Sequence, residues 1–214
     1  MRRLPLLLLL CLFPAFAKGP VVRYAALGGV DFVYSRGDFD GKQRIVASGD
    51  SVIPETISLA DVSPFVTYAI DLRAYVDASS VSFNLGLGYP QASYRNIDEE
   101  ARFFRLGVEY QYHFFWPETI RPGIGLGYDF ISLRVPHAAE SEYGSSFANH
   151  SGNGFHLTTS LGYYGWEHLA FEAAVRYRLA ALGNVSTDAN DFSKLDHILW
   201  QGFGELDLRT IVLF

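Results

Sequence analysis

His150 and Ser151 stand side by side, with Asn153 and His156 just downstream and Glu140 and Glu142 upstream. A serine hydroxyl beside an imidazole, with a carboxylate to orient the ring, is the composition of an acyl-transfer or hydrolytic site. Adjacency along a chain does not supply hydrogen-bond geometry, and a loop histidine is more often a solvated polar residue. A second set is larger. Asp31, Asp71, Glu109, Asp129, Glu172, Glu205 and Asp207, with Arg23, Arg73, Arg105, Arg176, Arg178 and Arg209, all fall inside alternating segments and all on one parity. Such a set can pair internally, carboxylate against guanidinium. A third set, Arg36, Arg102 and Arg134, has the opposite parity and sits at segment ends. Guanidiniums placed there can meet anionic phosphates. The chain has no Walker motif, dinucleotide glycine fingerprint, H-E-x-x-H or calcium-loop frame, so no cofactor and no metal is expected.

What must hold these residues in place follows from the rest of the chain. Of 214 residues, 49% are apolar, 15% aromatic and 19% charged, and Cys11 is the one cysteine. That composition excludes a disordered tail and a disulfide-stapled fold. The formal net charge of −6 offers no basic face for a nucleic-acid backbone. Only Lys18, Lys42 and Lys194 are lysines among the 17 basic residues, a bias toward fixed ion pairs over solvated ammonium groups. Arg2 and Arg3 are followed by an apolar run from Leu4 to Ala17, ending Ala15-Phe16-Ala17. This reads as a signal peptide over residues 1–17, too short to span a bilayer. Its cleavage would leave one domain over residues 18–214 and remove Cys11.

Past residue 20 the pattern has period two, the signature of strands. Val66, Tyr68, Ile70, Leu72 and Ala74 oppose Asp71 and Arg73. Phe104, Leu106, Val108, Tyr110 and Tyr112 oppose Arg105, Glu109 and Gln111. Leu169, Phe171, Ala173, Val175 and Tyr177 oppose Glu172, Arg176 and Arg178. Eight such segments are visible, the last ending at Phe214. The aromatic face is continuous and the ionic face nearly neutral, so the aromatic face is expected outward against lipid and the ion pairs inward. Connections support this inversion. Long polar stretches at 35–64, 90–101, 135–154 and 181–198 alternate with tight turns near Asp77, Trp116 and Tyr164. A barrel with short turns at one membrane face and longer loops at the other has this rhythm. The loops are acidic, with Asp38, Asp40, Asp50, Glu55, Asp61, Asp98, Glu99, Glu100, Glu140, Glu142, Asp188, Asp191 and Asp196. Tyr34, Tyr89, Phe130, Phe155 and Trp200 would ring one interface. Tyr24, Tyr112, Phe114, Tyr163, Phe171 and Phe214 would ring the other.

The stretch Arg121-Pro122-Gly123-Ile124-Gly125-Leu126-Gly127-Tyr128 and the recurrence of Leu-Gly-Tyr at 87–89, 126–128 and 161–163 resemble the small outer-membrane β-barrel domain family of the OmpA and OmpX type. Val212 and Phe214 resemble its C-terminal assembly signal, although Arg209 stands where that signal usually has Gly. The resemblance implies an all-β, eight-stranded antiparallel up-and-down transmembrane β-barrel. It becomes ten strands if a hairpin around Arg44–Ala47 and Thr56–Leu59 in the first loop joins the wall. It implies the outer membrane of a Gram-negative-type bacterium, export by a cleaved signal peptide, and the barrel assembly machinery, outer-membrane lipid and lipopolysaccharide as partners, the last meeting Arg36, Arg102 and Arg134. The expected function is non-enzymatic: a lumen plugged by the thirteen ion-pair residues, with a structural or surface-interaction role through the loops toward an unidentified extracellular ligand. The alternatives are a lipid A acyl-modifying enzyme using His150 and Ser151, and a narrow porin.

Overall fold

A computed structural model describes residues 22–40, 43–47, 55–58, 60–94, 97–115, 118–136, 147–187 and 190–214. The leader through Ala17, and Asp50, Glu140, Glu142 and Asp188, lie outside the described residues. The strands are β1 (Val22–Gly37), β2 (Gln43–Ala47), β3 (Glu55–Ser58), β4 (Asp61–Val62), β5 (Phe65–Val76), β6 (Ser79–Gly88), β7 (Gln91–Tyr94), β8 (Ile97–Glu100), β9 (Arg102–His113), β10 (Ile120–Pro136), β11 (Phe147–Tyr163), β12 (Leu169–Thr187) and β13 (Asn190–Leu213).

Eight of these close a barrel in the order β1-β13-β12-β11-β10-β9-β6-β5, and β1 pairs with β5 to complete the ring. Closure removes every free sheet edge, the condition under which backbone polar groups can cross a bilayer. The hairpin expected in the first long loop does form. Gln43 pairs with Ser58, but β2 and β3 make a separate two-stranded sheet, so the wall has eight strands and not ten. A second satellite, β4-β7-β8, sits at the same end. The first and last strands meet at the opposite end, where the Phe214 amide donates to the Tyr24 carbonyl at 2.9 Å. There β5 turns into β6 through Asp77, whose φ is 52°. A short polar side chain suits that left-handed region.

Side-chain parity follows the alternation. Tyr68, Ile70, Leu72, Phe83, Leu126, Leu157, Val175 and Tyr177 are exposed on the outer wall, where only hydrocarbon accommodates so large an apolar surface. Both expected girdles are exposed as well. Tyr128 packs edge-on against Phe155 (5.1 Å between ring centroids), and Trp166 bridges Tyr163 (5.3 Å) and Phe171 (5.9 Å) at the other rim.

Strand lengths depart from expectation. About 9 to 11 tilted residues cross a membrane. Yet β10 and β11 have 17 residues each, β12 has 19 and β13 has 24. The described residues of the stretches read as loops at 135–154 and 181–198, namely 135–136, 147–154, 181–187 and 190–198, are therefore strand. Inward residues of these extensions, Val135, Ala148, Leu182 and Leu199, are still buried, so the hydrogen-bonded ladder encloses an interior there as well.

Candidate functional site

The lumen is filled in three layers. At the membrane level inward positions carry the ion pairs, because a side chain of alternate parity has nowhere to go but the narrow interior. Arg73 on β5 makes a two-pronged pair with Glu172 on β12, at 2.8 and 3.0 Å. Arg105 on β9 lies between Asp31 and Glu205, 2.6 Å from each. Arg178 reaches Glu205 at 3.1 Å and also pairs with Asp129. Arg176 holds Glu109 at 3.0 Å and also pairs with Asp207. Arg209 pairs with Asp31 and approaches Asp71 at 3.4 Å. Twelve of the thirteen residues expected here are buried in this network. The exception is Arg23. It has the inward parity but sits exposed at the first row of β1, lining a recess with Tyr75, Arg121 and Tyr164 at the mouth of the barrel.

Sequence reasoning missed a central member. His156 sets Nδ1 against Asp129 Oδ2 at 2.5 Å and Nε2 against Glu109 Oε2 at 2.7 Å. The ring thus ties a carboxylate of β9 to one of β10. Chain proximity groups His156 with His150 and Ser151, although its position opposite Gly127 and Arg178 on the ladder is a lumen position. Asp31, Glu205 and Asp207 bring carboxylate oxygens within 4.8 Å of one another, close enough to grip a cation. Four guanidiniums interleave with them instead, those of Arg105, Arg176, Arg178 and Arg209, and meet their charge directly.

Below this layer, at the end with the short turns, Tyr75 and Tyr164 share a hydrogen bond of 2.9 Å between hydroxyls, packed with Leu27, Ala170 and Ile211. The Arg121 guanidinium covers the Tyr164 ring at 4.0 Å, a cation held over a π face. Above the ionic layer the expected polar lumen is replaced by an apolar one. Val33, Phe65, Phe103, Ile131, Leu133, Leu182 and Phe203 form a single cluster, with Phe103 in ring contact with Phe65 (5.2 Å) and Phe203 (5.3 Å). Phe39 caps it. The chain after β1 bends inward, its turn fixed by a 3.0 Å bond from the Asp38 amide to the Trp200 carbonyl and a 3.2 Å bond from the Phe39 amide to Gln201 Oε1.

His150 and Ser151 are not in a loop. They lie on β11, buried; there the β11–β12 ladder skips Gly183 between the pairs Ser151–Asn184 and Gly152–Leu182, while the β10–β11 register runs on unbroken. The Phe39 ring stands edge-on to His150 at 5.0 Å. Both side chains are buried in the wall. The three outward arginines also separate. Arg102 and Arg134 are directly opposite on β9 and β10, while Arg36 faces Gly202 on the far side of the ring. Val212 and Phe214, the residues resembling an assembly signal, are exposed on the last strand and at its end.

A closed eight-stranded barrel, aromatic without and ionic within, defines an integral outer-membrane barrel. The chain belongs to the outer membrane protein beta-barrel domain family, whose model matches residues 4–195. No curated protein matches it. Among solved structures it is similar to Neisserial surface protein A (12% identity, 88% of this chain and 96% of that one, TM-score 0.55). It is similar to OprG from Pseudomonas aeruginosa (15% identity, 94% of this chain and 99% of that one, TM-score 0.55). It is also similar to AlkL, determined in DMPC lipid bilayers (17% identity, 94% of this chain and 95% of that one, TM-score 0.51). At such identities the likeness is one of fold. Family and fold together place the protein in the outer membrane of a Gram-negative bacterium.

Proposed function

We propose that this barrel conducts nothing and acts at the cell surface, presenting its projecting strands and acidic loops to a partner outside the cell. The observation that carries this reading is the filled lumen: an apolar plug under Phe39, the ion-pair layer and the Tyr75–Tyr164 floor follow one another along the axis. Strands that outrun the bilayer supply a stiff pedestal for the loops, most of all β12 and β13. Those loops carry 13 of the 23 acidic residues against five basic ones, which steers cationic partners toward the outer face.

In planar bilayers the purified protein is expected to give no steady conductance above leak. Large ohmic steps would overturn the proposal. Trimming the segment between β10 and β11 is expected to leave a folded, heat-modifiable barrel that no longer captures its partner on cells. Altered lipid A acylation on overexpression, abolished by Ser151→Ala or His150→Ala with the loops intact, would instead favour an enzyme.

A further inference from the structure

We infer that the lumen holds a hard divalent cation, calcium, on Asp129, Asn84 and Asp71, a site independent of whatever the loops bind. The ionic layer is not neutral. Among the described residues it encloses seven carboxylates and five guanidiniums, because Arg23 lies exposed at the mouth and Arg121 stands there over the Tyr164 ring. With the His156 ring neutral, two negative charges are in excess. A carboxylate buried without a countercharge is costly, so the layer gains from a cation that the chain does not itself supply.

Unserved oxygens locate the cation. Asp71, Asn84, Gly107 and Asp129 form one row across β5, β6, β9 and β10, each directly opposite the next on the ladder. Asp129 turns Oδ2 to Arg178 and His156, and Asp71 turns Oδ2 to Arg209. Their Oδ1 atoms and the Asn84 carboxamide oxygen accept no hydrogen bond, although all three side chains are buried. Asn84, 3% exposed, donates none either. A buried carboxamide left unsatisfied at both ends calls for a partner. Glycine in the row lets two of the oxygens converge: a Cβ on Gly107 would press on Asp129 Oδ1 and lie 2.9 Å from Asn84 Oδ1. Two carboxylates and a carboxamide oxygen are a hard, all-oxygen set. Their irregular placement across a curved sheet suits calcium, whose coordination is flexible and completed by water, better than magnesium, which demands a near-regular octahedron. A buried water would meet the carboxamide but not the excess charge. The cluster of Asp31, Glu205 and Asp207 is the rival place, yet guanidiniums already interleave there.

The test is refolding of the full chain into detergent with radioactive calcium, followed by an EDTA wash that strips exposed sites, with heat-modifiable migration confirming the fold of each variant. The native barrel is expected to keep about one calcium per chain through the wash and to release it on boiling. Asn84→Ala should keep roughly tenfold less, because it removes the neutral oxygen from the set. Ser82→Ala, at the next inward position of β6, should keep as much as the native barrel. Calcium present during refolding should also raise the temperature at which the native barrel changes its migration, and leave that of Asn84→Ala where it is. Should Asn84→Ala not fold, Asp71→Asn takes its place. A native barrel that leaves the wash without calcium overturns the site and assigns the excess charge to protons. Equal retention by native and Asn84→Ala protein overturns it as well, by placing the ion elsewhere. Neither result bears on the surface role, which conductance and loop trimming decide.

Discussion

Replacing Arg105 by Met will lower the unfolding free energy of the barrel in detergent by about 3–5 kcal/mol, the typical cost of removing one partner from a buried ion pair. Arg105 is fully buried and lies 2.6 Å from both Asp31 and Glu205. Methionine fills similar length but leaves two carboxylates beside Asp207 with one fewer guanidinium among them. Denaturant titration followed by heat-modifiable migration measures the loss. Combining Arg105→Met with Glu205→Gln should recover part of it, since the second change removes one of the stranded charges. If the double variant is as unstable as the sum of the singles, the arginine does not act through Glu205.

Gly127→Val will abolish folding. A Cβ at this inward glycine would overlap Cε1 and Nε2 of His156, well inside van der Waals contact. The ring cannot retreat, because Asp129 and Glu109 hold it from both sides. Overpacking and loss of the histidine bridges act together, a penalty on the order of 4 kcal/mol or more. Gly28→Ala is the matched control, because a Cβ there meets nothing within 4 Å. A folded Gly127→Val barrel with normal migration would show that the lumen is looser than described. The same crowding explains the other two Leu-Gly-Tyr repeats: a Cβ at Gly88 would meet Thr67 and Phe65, and one at Gly162 would meet Tyr164.

Parity makes the wall legible in the sequence. Tyr68, Ile70 and Leu72 can face only hydrocarbon once Asp71 and Arg73 point inward, and that choice follows from the near-cancellation of the ionic face. Height along the axis is not legible, because period two distinguishes faces but not levels. Arg23 has the parity of the network yet sits at its mouth. Val33, Phe103, Ile131 and Phe203 share the inward parity, but their outward neighbours include apolar residues too, as in Phe103-Phe104 and Phe130-Ile131. The contrast that marks a lumen position vanishes there, and with it any sign of the apolar plug. Opposite Ser151 the ladder skips Gly183 on β12; counting by twos from Phe155 still sets His150 inward, where it is buried, and only Ser151, buried on the outward parity, escapes that count. His156 bridges two carboxylates contributed by β9 and β10, an adjacency created only when the sheet curls into a ring.

Aqueous access to single cysteines in the folded barrel, in vesicles, examines the filled lumen most directly. In a background lacking Cys11, Ser82→Cys places a thiol of similar size in the lumen, and Leu72→Cys places one on the outer wall of the adjoining strand. A filled interior predicts that a charged, membrane-impermeant maleimide modifies neither until the barrel is unfolded, while a lipophilic maleimide modifies Leu72→Cys alone. Rapid modification of Ser82→Cys by the charged reagent in the native barrel would mean that water and ions pass through the interior, contradicting the plugged lumen.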